Sequence, residues 1–150
     1  MVKLALISPT ENKISETFIR QHRERLAGEI HYMYGGLLPL YANNGVRLLS
    51  VSFMNRLFYV LYGRITHPKF NEKESSLYRY FVNNKIEAIF AEYGQTGASI
   101  LYVCKTTKTP LIVHFHGHDA YIKDHLKRYK KKYQEMFIYA TAIISVSKDM

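Results

Sequence analysis

Short apolar runs typical of β-strands alternate with helix-like segments along most of this chain, and this alternation constrains the fold more than any other feature. The strand-like runs cover residues 3–8, 30–34, 86–91, 110–115 and 142–147. The helix-like segments between them cover residues 16–28, 72–83, 96–105 and 121–139. Because strands that alternate with helices build βαβ units, the pattern predicts an α/β domain with a mainly parallel sheet and helices on both faces.

The first helix has recognisable signals at both of its ends. Ser15 is a residue type favoured as an N-cap, and Glu16 suits the positive end of the helix dipole. Gly28 is the residue type that commonly follows a helix C-terminus. We therefore expect this helix to begin after Ser15 and to end at Gly28.

Residues 37–70 carry the weakest pattern in the chain. The run Asn43-Asn44-Gly45 indicates a turn, because these residue types tolerate a left-handed backbone. Residues 52–65 are apolar and aromatic, which favours a helix that Pro68 would end. The pattern therefore predicts a turn and one helix here.

The charge balance restricts the partners of the chain. With 21 Lys and Arg against 12 Asp and Glu, the 150 residues carry a net charge of +9. Such a balance favours anionic partners, namely nucleic acid, acidic lipid or phosphorylated substrates. The sequence shows no signal peptide and no apolar run near the roughly 20 residues that span a bilayer, and its single cysteine excludes an internal disulfide. These features favour a cytoplasmic or peripheral protein of one domain.

Polar side chains gather where the predicted strands end. Three such clusters lie at residues 8–17, 92–96 and 114–119. In open α/β sheets, ligands bind beyond the carboxyl ends of the strands. The agreement of the three clusters in position predicts one ligand site at this edge of the sheet.

The sharpest local signal is the run from His114 to Asp119. Strand alternation places His114 and His116 on one face, while Gly117 permits a turn or a close approach of a ligand. Asp119 is suited to hold an imidazole tautomer or a sugar hydroxyl. The histidines can also be ordinary loop residues, and their spacing matches no zinc motif, so we expect no metal site.

Three segments in order resemble the N-terminal domain of family-4-type retaining glycosyltransferases, whose two Rossmann-like halves form the GT-B fold. They are Ser15-Glu16-Thr17-Phe18-Ile19, His116-Gly117-His118-Asp119 and the segment 142–150. The run Ala91-Glu92-Tyr93-Gly94 also occupies the place of the family's strand before a helix of small residues. The resemblance extends over nearly the whole chain except residues 37–70.

The resemblance implies roles for individual residues. His116 and Asp119 match the family's active-site rim near the donor sugar and its diphosphate, and we expect them to be the catalytic positions. The expected substrate-binding residues are Ser15, Glu16, Thr17, Glu92 and Gly117. For Ser15, a helix cap alone is an equally good interpretation.

The resemblance also implies an enzyme that needs a second domain. Residues 1–150 correspond to the acceptor-side half, whereas the family's basic donor-binding half with its paired glutamates has no counterpart here. The complete enzyme would be a hexosyltransferase that moves a sugar from a nucleotide-sugar to a glycan or lipid-linked acceptor, with retention and without a cofactor. We expect the 150-residue chain alone to be inactive. The early glycine-rich turn of many relatives is replaced here by Ser8-Pro9-Thr10-Glu11-Asn12.

Six Lys or Arg residues lie between Lys123 and Lys132, within one predicted helix. The plainest interpretation is a solvated helix face. A second interpretation is attachment to an anionic membrane surface through Lys127, Lys130, Lys131 and Lys132, as in relatives that use lipid-linked acceptors. Nucleic acid comes third, and we do not expect it as a partner because no recognised binding motif is present.

A different class of function is a stand-alone binding module of Rossmann type for nucleotides or acidic surfaces. The sequence contains neither a Gly-x-Gly-x-x-Gly run nor a phosphate-binding P-loop, and this speaks against it.

Overall fold

A computed structural model describes residues 1–11, 16–43, 45–49 and 70–148. The strands are β1 (Lys3–Ile7), β2 (Glu29–Tyr34), β3 (Tyr41–Ala42), β4 (Val46–Arg47), β5 (Ala88–Glu92), β6 (Leu111–Phe115) and β7 (Ala142–Ser145). The helices are α1 (Thr17–Arg25), α2 (Glu72–Asn84), α3 (Gly94–Thr107), α4 (Gly117–Tyr121) and α5 (Lys123–Tyr139). This architecture confirms the predicted α/β class.

The described strands form one sheet in the order β4-β3-β2-β1-β5-β6-β7. The neighbouring pairs β2–β1, β1–β5, β5–β6 and β6–β7 are all parallel, as predicted. At one edge, β2 pairs with β3 and β3 with β4 in antiparallel fashion. This hairpin was not predicted, because two-residue strands are too short to show a period. Its turn falls where Asn43 and Gly45 have positive φ angles of 36° and 96°, which confirms the predicted turn.

The sheet packs against helices on both faces, as the alternation of buried side chains requires. On one face, Ala5, Ile7 and Val113 belong to a buried cluster that also contains residues of α2, α3 and α5. On the other face, Leu6 and Phe90 pack with Ile19 of α1. Because both faces are covered, the functional groups of the sheet are restricted to its edges and strand ends.

The ends of α1 differ from the prediction. The N-cap position is Glu16, without a side-chain capping bond, and Ser15 lies outside the described residues. The prediction that Gly28 ends the helix was wrong, because the helix ends at Arg25 with Leu26 as its C-cap. Gly28 has a φ of +130°, and a Cβ there would lie 2.6 Å from the carbonyl oxygen of Val2. The close approach of this neighbouring backbone therefore requires the glycine.

The other predicted helices had three different outcomes. The segment 121–139 forms two helices rather than one, because Ile122 adopts an extended backbone between α4 and α5. The predicted helix at 52–65 lies outside the described residues. Helix α2 agrees with the sequence prediction and begins at a capping box in which Asn71 and Glu74 satisfy each other's backbone amides.

Candidate functional site

A cleft of about 390 Å³ opens at the carboxyl ends of β1, β5 and β6. Its lining residues are Pro9, Thr10, Glu16, Leu37, Tyr93, Gln95, His118 and Asp119. The position agrees with the rule that open α/β sheets bind ligands beyond the carboxyl ends of their strands. The three polar clusters found in the sequence therefore do meet at one site.

A tight passage from β5 into α3 shapes one wall of the cleft. Tyr93, the N-cap of α3, has a φ of 73°, an unusual value for a non-glycine residue. The next residue, Gly94, has no room for a side chain, because a Cβ there would lie 2.4 Å from the ring of Phe115. This contact lets the helix start immediately beside the sheet and brings the Tyr93 ring to the cleft.

Glu16, at the start of α1, lines the cleft beside Tyr93. Its carboxylate accepts hydrogen bonds from the hydroxyls of Tyr93, at 2.8 Å, and of Thr10. Burial raises the pKa of Tyr93, and the neighbouring Glu16 carboxylate raises it further, so the phenol stays protonated and can donate. Of the other residues predicted on this helix start, Thr17 is exposed and does not line the cleft.

Asp119 forms part of the cleft floor although it is fully buried. One carboxylate oxygen, Oδ2, accepts the backbone N–H of His116 at 3.1 Å. The other, Oδ1, has no hydrogen-bond partner among the described residues. A buried carboxylate oxygen without a donor is costly, so a ligand that donates to it would stabilise the site.

A cluster of three imidazoles surrounds the carboxylate of Glu92, which is fully buried. Oε1 of Glu92 lies 2.5 Å from Nδ1 of His22. Oε2 lies 3.1 Å from Nδ1 of His114 and 3.2 Å from Nε2 of His116. The prediction that His114 and His116 share one face of the strand is thus confirmed. We refer to His22, Glu92, His114 and His116 as the buried imidazole cluster.

The hydrogen bonds of this cluster determine the charge of Glu92. Burial alone would raise the pKa of its carboxyl, but the bonds from His114, His116 and His22 outweigh burial and hold that pKa at about 2. Glu92 is therefore ionised at neutral pH, and each of its partners donates an N–H.

Two residues expected at the site, His116 and Glu92, lie outside the lining of the cleft. The His116 ring lies against Phe18 and Tyr93, with ring-centroid distances of 4.5 and 4.6 Å, and it does not line the cleft. The Glu92 side chain is fully buried and does not line the cleft, and its contact with a substrate stays a prediction. Glu92, and not Asp119, hydrogen-bonds the imidazoles.

Gly117 is the first residue of α4 and lies beside the cleft rather than in its lining. Its φ is not in the positive range, and a Cβ there would be at an ordinary 3.5 Å from the Tyr121 ring. The backbone of Gly117 therefore makes no left-handed turn, and the close approach of a ligand to it stays a prediction.

Several site residues were missed in the sequence. Thr10, Tyr93 and Gln95 lie within the polar clusters at the strand ends, and that position was a usable signal. His22 had no such signal, because a histidine within a helix of polar residues resembles any solvated side chain. Its partner Glu92 is 70 residues away in the chain.

Helix α5 lies on the surface, as predicted. Tyr133 and Met136 face the core, while the exposed side chains include Lys123, Lys127, Arg128, Lys130, Lys131 and Lys132. Among the described helices, none combines the length and the apolar character that crossing a membrane requires.

Comparisons with protein families, curated proteins and solved structures returned no match to this chain.

Proposed function

We propose that this chain is the acceptor-side domain of a glycosyltransferase of the GT-B type. The complete enzyme transfers a hexose from a nucleotide-sugar to a glycan or lipid-linked acceptor, with retention at the anomeric carbon. The motif resemblance and the Rossmann-like fold both support this proposal. A second, donor-binding domain is part of it, and it supplies the positive charge that stabilises the departing diphosphate.

The observation that carries the proposal is the chemistry of the cleft. Thr10, Tyr93 and Gln95 bring hydroxyl and amide groups to its walls, and Asp119 brings a buried oxygen to which no described residue donates. Sugar hydroxyls donate to such acceptors, and an aromatic ring such as that of Tyr93 packs on the apolar face of a sugar. We assign the ligand contact to Asp119.

His116 has an indirect role in this proposal. Its ring is held between Phe18 and Tyr93, and its backbone N–H is bound by Asp119. It therefore acts as a positioning residue that fixes the Asp119 carboxylate and the Tyr93 ring. A displacement of about 1 Å at a reacting centre can reduce turnover by a factor of about 100.

The test is a transferase assay on the full-length enzyme with Asp119→Asn and His116→Ala. We expect each variant to reduce turnover by about 100-fold or more. Asp124→Asn is the matched control, because Asp124 is an exposed aspartate at the start of α5, and its turnover should equal that of the unchanged enzyme. Full activity of Asp119→Asn, or turnover by the 150-residue chain alone at the rate of the complete enzyme, would overturn the proposal.

The exposed basic face of α5 suits attachment to a membrane, and it also suits the alternative function. In the proposed enzyme, it attaches the domain to the anionic inner surface of the cytoplasmic membrane, near lipid-linked acceptors. The same face also suits the alternative function, a stand-alone module that binds acidic surfaces. Transferase activity of the full-length protein decides between the two, because a binding module has none.

A further inference from the structure

The buried imidazole cluster brings together side chains of the types that bind transition metals. His22 comes from α1, Glu92 from the end of β5 and His114 from β6. Their ligand atoms, two imidazole nitrogens and a carboxylate oxygen, all lie within 4.8 Å of one another. The cluster lies behind the wall of the cleft and does not line it. The proposed sugar transfer assigns no task to His22 or His114.

We propose that His22, Glu92 and His114 form a binding site for one divalent transition-metal ion of the zinc type. Zinc is bound in proteins by imidazole nitrogen and carboxylate oxygen, in sets such as two histidines and one glutamate. Calcium and magnesium are disfavoured here, because they prefer oxygen ligands alone. His116, whose Nε2 is 3.2 Å from the same carboxylate, is the neighbour that can complete the coordination.

The charge of Glu92 supports a bound cation. Its carboxylate is fully buried, and within the described part of the chain its ion-pair contacts are all with imidazoles. Because a buried charge is costly unless it is paired, a divalent cation would stabilise this arrangement.

Binding requires the ligand atoms, which all lie within 4.8 Å of one another, to draw together, and the Nδ1 atoms of His22 and His114 to present a lone pair instead of an N–H. Ligand atoms about 2.0–2.2 Å from a tetrahedral zinc ion lie roughly 3.3 Å apart. The separations of 3.1 and 3.2 Å around Oε2 of Glu92 are already close to this value. The His22–Glu92 contact of 2.5 Å must open, and the His22 side chain is 28% exposed, so it can move outward and leave an entry path.

Aromatic rings form an apolar shell around the cluster. The Phe90 ring lies 5.3 Å from that of His22, and the Phe18 ring lies 6.2 Å from that of His114. Such a shell limits access of water and strengthens the attraction between an ion and its ligands. His22 and His114 have no role in the transfer chemistry proposed above, and an ion bound by them would instead connect α1 to the sheet.

The experiment is titration of the chelator-stripped 150-residue chain with Zn²⁺ by calorimetry and with Co²⁺ by visible absorption at neutral pH. We expect one ion per chain, with Co²⁺ bands typical of imidazole coordination. His22→Gln and His114→Gln should each weaken binding by roughly 100-fold, because each removes a metal ligand. Even the loss of a residue that only orients a ligand can have an effect of this size. The matched control is His125→Gln, a histidine outside the cluster, which should bind as the unchanged chain does.

Two results would overturn the proposal: a folded, unchanged chain that takes up no Zn²⁺ or Co²⁺ at stoichiometric concentration, or uptake that survives in the His22→Gln/His114→Gln double variant. A circular-dichroism spectrum of each variant verifies its fold. Because the His22 side chain is partly exposed, His22→Gln is the variant that leaves the buried core in place. No donor or acceptor sugar is used, so this result is separate from the transferase assay.

Discussion

Nδ1 of His22 lies 2.5 Å from Oε1 of Glu92, although 70 residues separate the two along the chain. This contact joins α1 to the end of strand β5, which pairs with β1 and β6 within the sheet. Glu16, at the other end of α1, accepts a hydrogen bond from Tyr93, the residue after Glu92. Helix α1 is therefore connected at two points to the segment that forms the wall of the cleft.

Replacing His22 by Ala should destabilise the metal-free chain by about 1–3 kcal/mol, because the buried Glu92 carboxylate loses a donor. The free energy of unfolding measured in urea checks this. Arg20→Ala is the control, since its ion pair with Glu24 is exposed and lies at 3.9 Å, and it should change stability by less than about 0.5 kcal/mol. Equal effects of the two variants would contradict a structural role of His22.

Glu92 should make the metal-free chain sensitive to acid. Its pKa is about 2 in the folded chain against an ordinary value of 4.5, so the folded form holds the ionised carboxylate more favourably than the unfolded form does. The resulting stability is fully present above about pH 4.5 and is lost as the pH falls towards 2. Urea unfolding between pH 2 and 7 in the presence of a chelator measures this. In Glu92→Gln, the part of the pH dependence that comes from Glu92 should disappear, and an unchanged profile would refute the assignment.

Replacing Gly94 by Ala should destabilise the chain by about 1–3 kcal/mol, because the new Cβ would lie 2.4 Å from the Phe115 ring. Gly117→Ala is the matched control, since its Cβ would have ordinary contacts. Thermal unfolding of the two variants should show a clear loss for the first and little change for the second. If both melt at the temperature of the unchanged chain, the tight passage from β5 to α3 is not a constraint.

Binding of the chain to anionic vesicles should depend on α5. Each Lys near an anionic bilayer contributes about 1 kcal/mol, so replacing Lys130, Lys131 and Lys132 by Gln should weaken binding by about 100-fold. Co-sedimentation at low and high salt measures this, and salt should weaken binding by screening. A triple Gln variant at Lys73, Lys85 and Lys108, which are exposed elsewhere, removes the same charge and should retain most of the binding. Equal recovery of the chain on neutral and on anionic vesicles would mean that the basic side chains of α5 form only a solvated face.

The sequence by itself determined the fold class and part of the site. Apolar runs of period two alternate with helical segments, and side-chain direction follows directly from these periods. For this reason, the α/β sheet and the shared face of His114 and His116 could be predicted. The edge at which polar residues meet could also be predicted, because strand direction is common to a parallel sheet.

Only the tertiary structure decided which of these residues touch. His22 reaches Glu92, and Glu92 is buried behind the cleft, because of how α1 packs against the strand ends. The packing of α4 likewise leaves Asp119 with an oxygen that has no donor within the described part of the chain. Helix ends and two-residue strands likewise depend on neighbouring backbone, as Val2 beside Gly28 shows. Local periodicity reports the direction of a side chain but not its distance from a residue 70 positions away, because that distance is determined by packing between elements.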